Sequence, residues 1–329
     1  MTYLATALQA FFTDYVHTQR GLAANTIASY RDTWRLLIKH LSATTGTSAD
    51  QLRLEDLDRG TVTGFLDDLA TQRANTAATR NARLSAIRVL LAHTLPDHPE
   101  HADSIRQILA IPPAKTMKPL ISYLTDAETE ALLAAPDTTT WTGRRDQTML
   151  SLAINTGMRI SELITLTTSS IHTGPSPYVE CEGKGRKHRA TPLNATTRDQ
   201  LHAYLAERST RLGTALFPGP HGTLLSRDAI EHRLAVHVRT ATRSCPTMAG
   251  KHITAHTLRH TTAMNLLHAG VDITVIALWL GHEQTSTTDV YLHADTQLKK
   301  DALDKTRPPN VTPGTYTPRA DILAWLENL

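Results

Sequence analysis

Pro112, Pro113 and Pro119, in the stretch IPPAKTMKP, interrupt the helical patterning of this chain and cut it in two. Proline lacks the backbone N–H that an internal helical turn needs, and its ring clashes with the preceding turn, so no helix continues through. The sequence therefore predicts a unit at 1–110, a linker at 111–119 and a second unit from 120. A chain of 329 residues is long enough for two cores of ordinary size.

Residues 1–110 read as helical. Leu4, Leu8, Phe11, Phe12, Tyr15 and Val16 recur at helical spacing, and Arg20-Gly21 ends that run. Asn25 is a candidate N-cap for a second helix carrying Ile27, Tyr30, Trp34, Leu37, Ile38 and Leu41 on one face. Val62, Phe65, Leu66 and Leu69 mark a third helix. A fourth begins near Asn75 with Leu84, Ile87, Leu90 and Leu91. Its other side shows Arg73, Arg80, Arg83 and Arg88, a candidate phosphate-contacting face, although arginines on an exposed helix are more often only solvated.

The second unit changes pattern. Thr125 and Glu128 make a capping box, in which hydroxyl and carboxylate satisfy each other's end amides. Met149, Leu150, Ala153 and Ile154 give the next helix its core face, and Gly157 suits its C-terminal cap. Between 178 and 193 the string YVECEGKGRKHRATPL reads as a short hairpin with glycines near its tip. Helices return at about 226–240, 256–268 and 272–280. A last one follows the capping box of Ser286 and Asp289 and carries Tyr291.

Composition removes several function classes. Hydrophobic residues make up 40% and charged residues 20%, the balance of a globular protein. No stretch approaches the ~20 apolar residues a membrane span requires. The first twenty residues lack a basic segment and carry Asp14 inside their apolar run, so a secretory signal is not expected. Cys181 and Cys245 offer no disulfide framework, and a reducing cytoplasm is the expected compartment. Formal charge is only +3, but 184–243 holds 11 Lys and Arg against 4 Asp and Glu, a local excess suited to a phosphate backbone or merely to solvation.

Four segments carry chemistry: TGMRISEL (156–163), EGKGRKHR (182–189), HTLRH (256–260) and LGHEQTSTTDVYLH (280–293). Singly, each has a bland explanation. Arg159 pairs naturally with Glu162, Lys184 sits in a basic turn, and Tyr291 could serve a core. His256 and His260 have zinc-ligand spacing, but the glutamate of H-E-x-x-H is missing.

Together and in this order, the segments resemble the catalytic domain of the tyrosine recombinase (phage integrase) family. That family shows an arginine after T-G-x, a lysine in a β-hairpin, H-x-L-R-H, L-G-H, and a tyrosine nine residues beyond the last histidine. His282 and Tyr291 are nine apart, and no catalytic position departs from the pattern. The resemblance is close over about 120–295 and loose over 1–110. It implies a mainly α fold with a small β-sheet or hairpin and a two-domain architecture. A helical core-binding domain would occupy 1–110, an α/β catalytic domain 120–303, and a tail with a short amphipathic helix 304–329.

The resemblance also implies roles. Arg159 and Arg259 would clamp the non-bridging phosphate oxygens with paired donors that lysine cannot present in the same fork. His282 would donate a further hydrogen bond, Tyr291 attack phosphorus, His256 take its proton, and Lys184 protonate the departing 5′-oxygen. Glu162 is expected to orient its neighbours, and His260 and His293 to be structural. Arg186 and Lys187 are candidate DNA contacts beside Lys184. No metal or cofactor is expected, since neither a GxxxxGK[ST] segment nor a metal-ligand cage is present in the sequence. The expected partners are double-stranded DNA bearing specific sites, accessory recombinases, and further copies or homologues completing a tetramer on two duplexes. Integration or transposition of a mobile element is the favoured role. Dimer resolution and a type IB topoisomerase-like activity are the alternatives. At the end of the chain Ile322, Leu323, Trp325, Leu326 and Leu329 form an apolar stripe. It is expected to dock on a neighbouring subunit or back on its own domain.

Overall fold

The structure, a computed structural model, describes residues 2–19, 22, 24–116, 121–183, 188–208, 213–219, 221–282, 287, 288 and 291. The chain divides into two compact units, Met1–Pro119 and Leu120–Leu329, each with its own apolar core.

The first unit is built from helices. α1 (Leu4–Ala10) runs on as a π-helical stretch over Phe11–Gln19, and α2 (Ala24–Thr45), α3 (Arg59–Thr71), α4 (Ala77–Thr94) and α5 (Ala102–Leu109) follow. Trp34, Leu37 and Leu41 of α2 meet Val62, Phe65 and Leu69 of α3 and Leu84, Ile87, Leu90 and Leu91 of α4. Their three- and four-residue spacing places each set on one helix face, which is why these segments pack. Asp58 caps α3 by accepting from the Thr61 N–H at 2.7 Å, and Thr76 caps α4. Asn25 is not the cap of α2: the helix already includes Ala24, so Asn25 sits inside the first turn.

The second unit is helical around a small sheet. Among the described residues its α-helices are α6 (Asp126–Ala134), α7 (Trp141–Thr156), α8 (Ile160–Thr165), α9 (Ala195–Arg208), α10 (Arg227–Ser244), α11 (Ala255–His268) and α12 (Ile273–Leu280). The hairpin of β2 (Tyr178–Glu182) and β3 (His188–Pro192) is joined by β1 (Ile171–His172), giving an antiparallel sheet in the order β1-β2-β3. Val179 faces Thr191 and Cys181 faces Arg189 across the hairpin. The Thr125–Glu128 capping box starts α6 as its sequence predicts. α7 and α11 are buried on most sides, and Thr262 of α11 donates to the Ile154 carbonyl of α7 at 2.7 Å. α10 is tied to α7 by a buried carboxylate. Asp146 accepts from Arg145, from Arg233 Nε at 2.5 Å, and pairs with His237 Nε2 at 2.8 Å. The capping box at Ser286 and Asp289 and the terminal apolar stripe lie outside the described residues.

Candidate active site

The candidate site is organised by the ends of two helices. α7 stops at Gly157, which is left-handed at φ +62°, and the chain turns to extended backbone at Arg159 before α8 begins. α12 stops at Gly281, left-handed at φ +65°. A helix C-terminus leaves carbonyls unpaired and carries partial negative charge, so cations gather there.

Three arginines do. Arg259 of α11 donates from Nη1 to the Gly157 carbonyl at 2.7 Å and from Nη2 to the Leu280 carbonyl at 2.6 Å. Arg159 donates from Nη2 to the Gly281 carbonyl at 3.0 Å. Arg189 of β3 donates from Nη1 to the Leu280 carbonyl at 2.8 Å. One buried carboxylate organises two of them. Glu162 accepts the Arg159 backbone N–H at 2.8 Å, Arg159 Nη1 at 2.9 Å and Arg189 Nη2 at 2.9 Å. Among the described residues, three guanidinium groups stand against one carboxylate, a cationic balance that suits an anionic ligand. Burial, followed by the charges of Arg159 and Arg189, lowers the Arg259 pKa to about 10, and it stays charged at neutral pH.

Histidines and the tyrosine complete the cluster. His282, directly after Gly281, hydrogen-bonds through Nδ1 to the buried Thr288 hydroxyl at 2.7 Å. Burial and the neighbouring Arg259 and Arg159 push its pKa down to about 4. His256 and His260 lie one turn apart on α11 with ring centroids 4.3 Å apart. Reduced hydration and the Arg259 and Arg159 charges lower the His256 pKa as well. Tyr291 is buried against Met264, Leu267, Ile276 and Leu280, and its hydroxyl lies 2.9 Å from His260 Nδ1. Burial raises the phenol's pKa against the opposing pull of Arg259, so the hydroxyl keeps its proton.

Arg159, His256, Arg259, His282 and Tyr291 are thus brought together from segments more than 130 residues apart. Lys184, Arg186 and Lys187 lie outside the described residues, between β2 and β3 in the sequence. Arg73, Arg80, Arg83 and Arg88 belong to the first unit. Arg73 is exposed, whereas Arg80, Arg83 and Arg88 are half-buried on α4, and Arg88 donates to the Ile111 carbonyl. Two contacts have no counterpart in the sequence reading: Arg189 on Glu162, and His260 on Tyr291. Arg189 had a signal, because it shares the inward side of β3 with buried Thr191, and a cation there needs a partner. Among the described residues no group of three or more His, Cys, Asp or Glu side chains is arranged to hold a metal ion. No described helix is long and apolar enough to cross a membrane.

A mainly helical domain with a small antiparallel sheet thus gathers arginines and histidines beside a buried tyrosine. The phage integrase family profile matches residues 122–297, and the N-terminal SAM-like domain of phage integrases matches 10–95. A Sinorhizobium fredii protein named integrase/recombinase y4rC is 39% identical over 99% of this chain and 98% of its own length. Tyrosine recombinase XerD of Pseudomonas aeruginosa is 34% identical over 86% of this chain and 91% of its own. Among solved structures, XerH site-specific recombinase bound to a palindromic difH substrate superposes with a TM-score of 0.70 at 20% identity, over 87% of this chain and 81% of its own. The chain belongs to the phage integrase family and is a tyrosine-type site-specific DNA recombinase.

Proposed function

We propose that Arg159, Lys184, His256, Arg259, His282 and Tyr291 are the catalytic set, and that Tyr291 joins covalently to the 3′-phosphate of a cleaved DNA strand. The observation that carries this reading is the convergence of Arg159, Arg259 and His282 on the C-terminal end of α12. There they form a cationic cluster on the same α11–α12 core that buries Tyr291. Developing charge on the non-bridging oxygens is stabilised by donors already fixed in place. Arg159 and Arg259 supply the guanidinium forks, His282 a further donor, and Lys184 the proton for the 5′-oxygen. A phosphotyrosyl bond preserves the energy of the phosphodiester, so a 5′-hydroxyl from another strand can religate it without ATP or a metal ion.

Exchange between two duplexes requires four strands to be cut, hence four tyrosines and a tetramer of this chain alone or with a homologous recombinase. The substrate is double-stranded DNA with specific sites, and Arg73, Arg80, Arg83, Arg186 and Lys187 are candidate backbone contacts. Such an enzyme works in the cytoplasm, on the nucleoid. Within the chemistry we favour integration or transposition of a mobile element, supported by the 39% identity with integrase/recombinase y4rC over nearly the whole chain. Sequencing the DNA ends recovered covalently on the protein in cells distinguishes this from dimer resolution: element ends support the first, and a chromosomal or plasmid resolution site the second.

The nucleophile is tested by Tyr291→Phe, which removes only the phenolic oxygen. On a nicked suicide substrate the variant is expected to bind DNA normally and form no covalent adduct on a denaturing gel. An adduct at wild-type yield would overturn the assignment.

A further inference from the structure

The Tyr291 hydroxyl is engaged by an imidazole that the scheme above does not use. His260 Nδ1 lies 2.9 Å from Tyr291 Oη, and the two rings meet edge to face at 68° with centroids 5.5 Å apart. Among the described residues the hydroxyl bonds to no other side chain. His256, one turn earlier on α11, is exposed, whereas His260 is half-buried between it and the tyrosine. The residue assigned as base by resemblance therefore touches the histidine that touches the nucleophile.

We propose that His260 seats the Tyr291 nucleophile and takes its proton as the tyrosine oxygen bonds to phosphorus; the proposal rests on the reading of Tyr291 as the nucleophile. The O–H bond of Tyr291 breaks and its hydrogen passes to His260 Nδ1. The freed electron pair forms the Oη–P bond, the P–O5′ bond breaks, and the 5′-oxygen leaves with the proton of Lys184. Religation runs the same transfers backwards, and the imidazolium of His260 returns its proton to the departing phenolate.

The surroundings leave the ring free to accept a proton. Burial, then the neighbouring His256 and Arg259, lower the His260 pKa to about 4, so the ring is neutral at pH 7. The proposed transfer uses the neutral tautomer that carries its proton on Nε2, which leaves Nδ1 to accept from the Tyr291 hydroxyl. The groups that act on it are His256 and Arg259 of its own helix and Tyr291. A phosphodiester held by Arg159 and Arg259 adds negative charge to this environment, which stabilises the imidazolium. The base thus gains strength when substrate is in place.

The test is single-turnover cleavage of a suicide duplex by His260→Ala and His260→Asn, on a normal substrate and on one with sulfur at the 5′-bridging position. A thiolate leaves without a proton, so the sulfur substrate relieves loss of the acid but not loss of the base. His260→Ala is expected to bind DNA normally and to slow adduct formation by about 10²–10⁴-fold on both substrates. Imidazole in the buffer is expected to restore part of the rate. His260→Asn retains an acceptor near the Nδ1 position without the proton affinity, and it is expected to stay slow. It decides the question if the alanine variant fails to fold. Wild-type cleavage by either DNA-bound variant, or slow cleavage that sulfur rescues, overturns the proposal. A Tyr291→Phe control that still formed adduct would instead remove the nucleophile reading on which it rests.

Discussion

Glu162 holds two arginines in a cluster whose proposed task is to receive a phosphate. Its carboxylate accepts from Arg159 and Arg189 at 2.9 Å each and from the Arg159 N–H at 2.8 Å, while being 3% exposed. A charge so placed is tolerable only because it is fully paired. Glu162→Gln keeps the shape but points an NH2 group at one guanidinium. A charge-assisted hydrogen bond is worth about 1.5–3 kcal/mol, so urea unfolding should show a loss of about 2 kcal/mol. Cleavage should fall by about 10–100-fold, because Arg159 loses the group that aims it; a wild-type rate would show that Arg159 is placed without Glu162. Asp146→Asn is the control, since Arg145, Arg233 and His237 lie outside the cluster. Burial opposes the Asp146 charge, but hydrogen bonds from His237 and Arg233 and the charge of Arg145 outweigh it, lowering its pKa from 3.8 to about 2. That stabilisation is complete above 3.8 and is lost as pH falls through about 2. Its removal should lower stability and leave the cleavage rate of the folded enzyme unchanged.

At the scale of elements, the candidate site depends on two helices stopping at the right residue. A Cβ on Gly157 would lie 2.5 Å from Leu280 Cδ2 and 3.2 Å from Thr262 Cβ, at a backbone angle that L-residues avoid. Gly157→Ala therefore costs about 1–2 kcal/mol for the left-handed backbone alone. It also displaces Leu280, whose carbonyl receives both Arg259 and Arg189. Thermal melting should show a modest loss and single-turnover cleavage a much larger one; equal, small losses in both would place the arginines independently of this junction. The role of Gly157 as a helix stop was readable, because it follows a clear apolar face and precedes Arg159. Its close approach to Leu280, 123 residues away, was not. The same divide runs through the fold. Helices with strong apolar stripes, such as α2 and α4, show in the sequence. α9 buries Thr197 and Arg208 alongside Leu201 and Tyr204, so its periodicity is diluted. α5 offers only Ile105 and Ile108, and the two-residue β1 exists through its pairing with β2. At the site, the motif residues were identifiable by their order, whereas the contacts of Arg189 and His260 arise only when β3, α8, α11 and Tyr291 meet in space.

Taken as a whole, the molecule keeps its histidines neutral where an anionic substrate is expected, which links folding, pH and DNA. His260 and His282 have pKa values lowered from 6.5 to about 4, by burial first and then by His256 and Arg259 for the former and Arg259 and Arg159 for the latter. His256 shifts in the same direction. In the unfolded chain these rings protonate near 6.5, so between about 6.5 and about 4 the unfolded state binds more protons than the folded one. Their neutral burial therefore costs nothing above 6.5, and stability falls as pH drops through that window. A phosphodiester in the cluster supplies negative charge that favours imidazolium, raising the folded pKa values and shrinking the difference that drives unfolding. Melting temperatures measured from pH 7.5 to 4.5 should fall steeply for the free protein. In saturating site-bearing duplex the decline should be shallower than mass action from DNA binding at pH 7.5 explains. The comparison is made with Tyr291→Phe, so that no covalent adduct contributes. Parallel declines with and without DNA would mean that the phosphate does not reach these histidines.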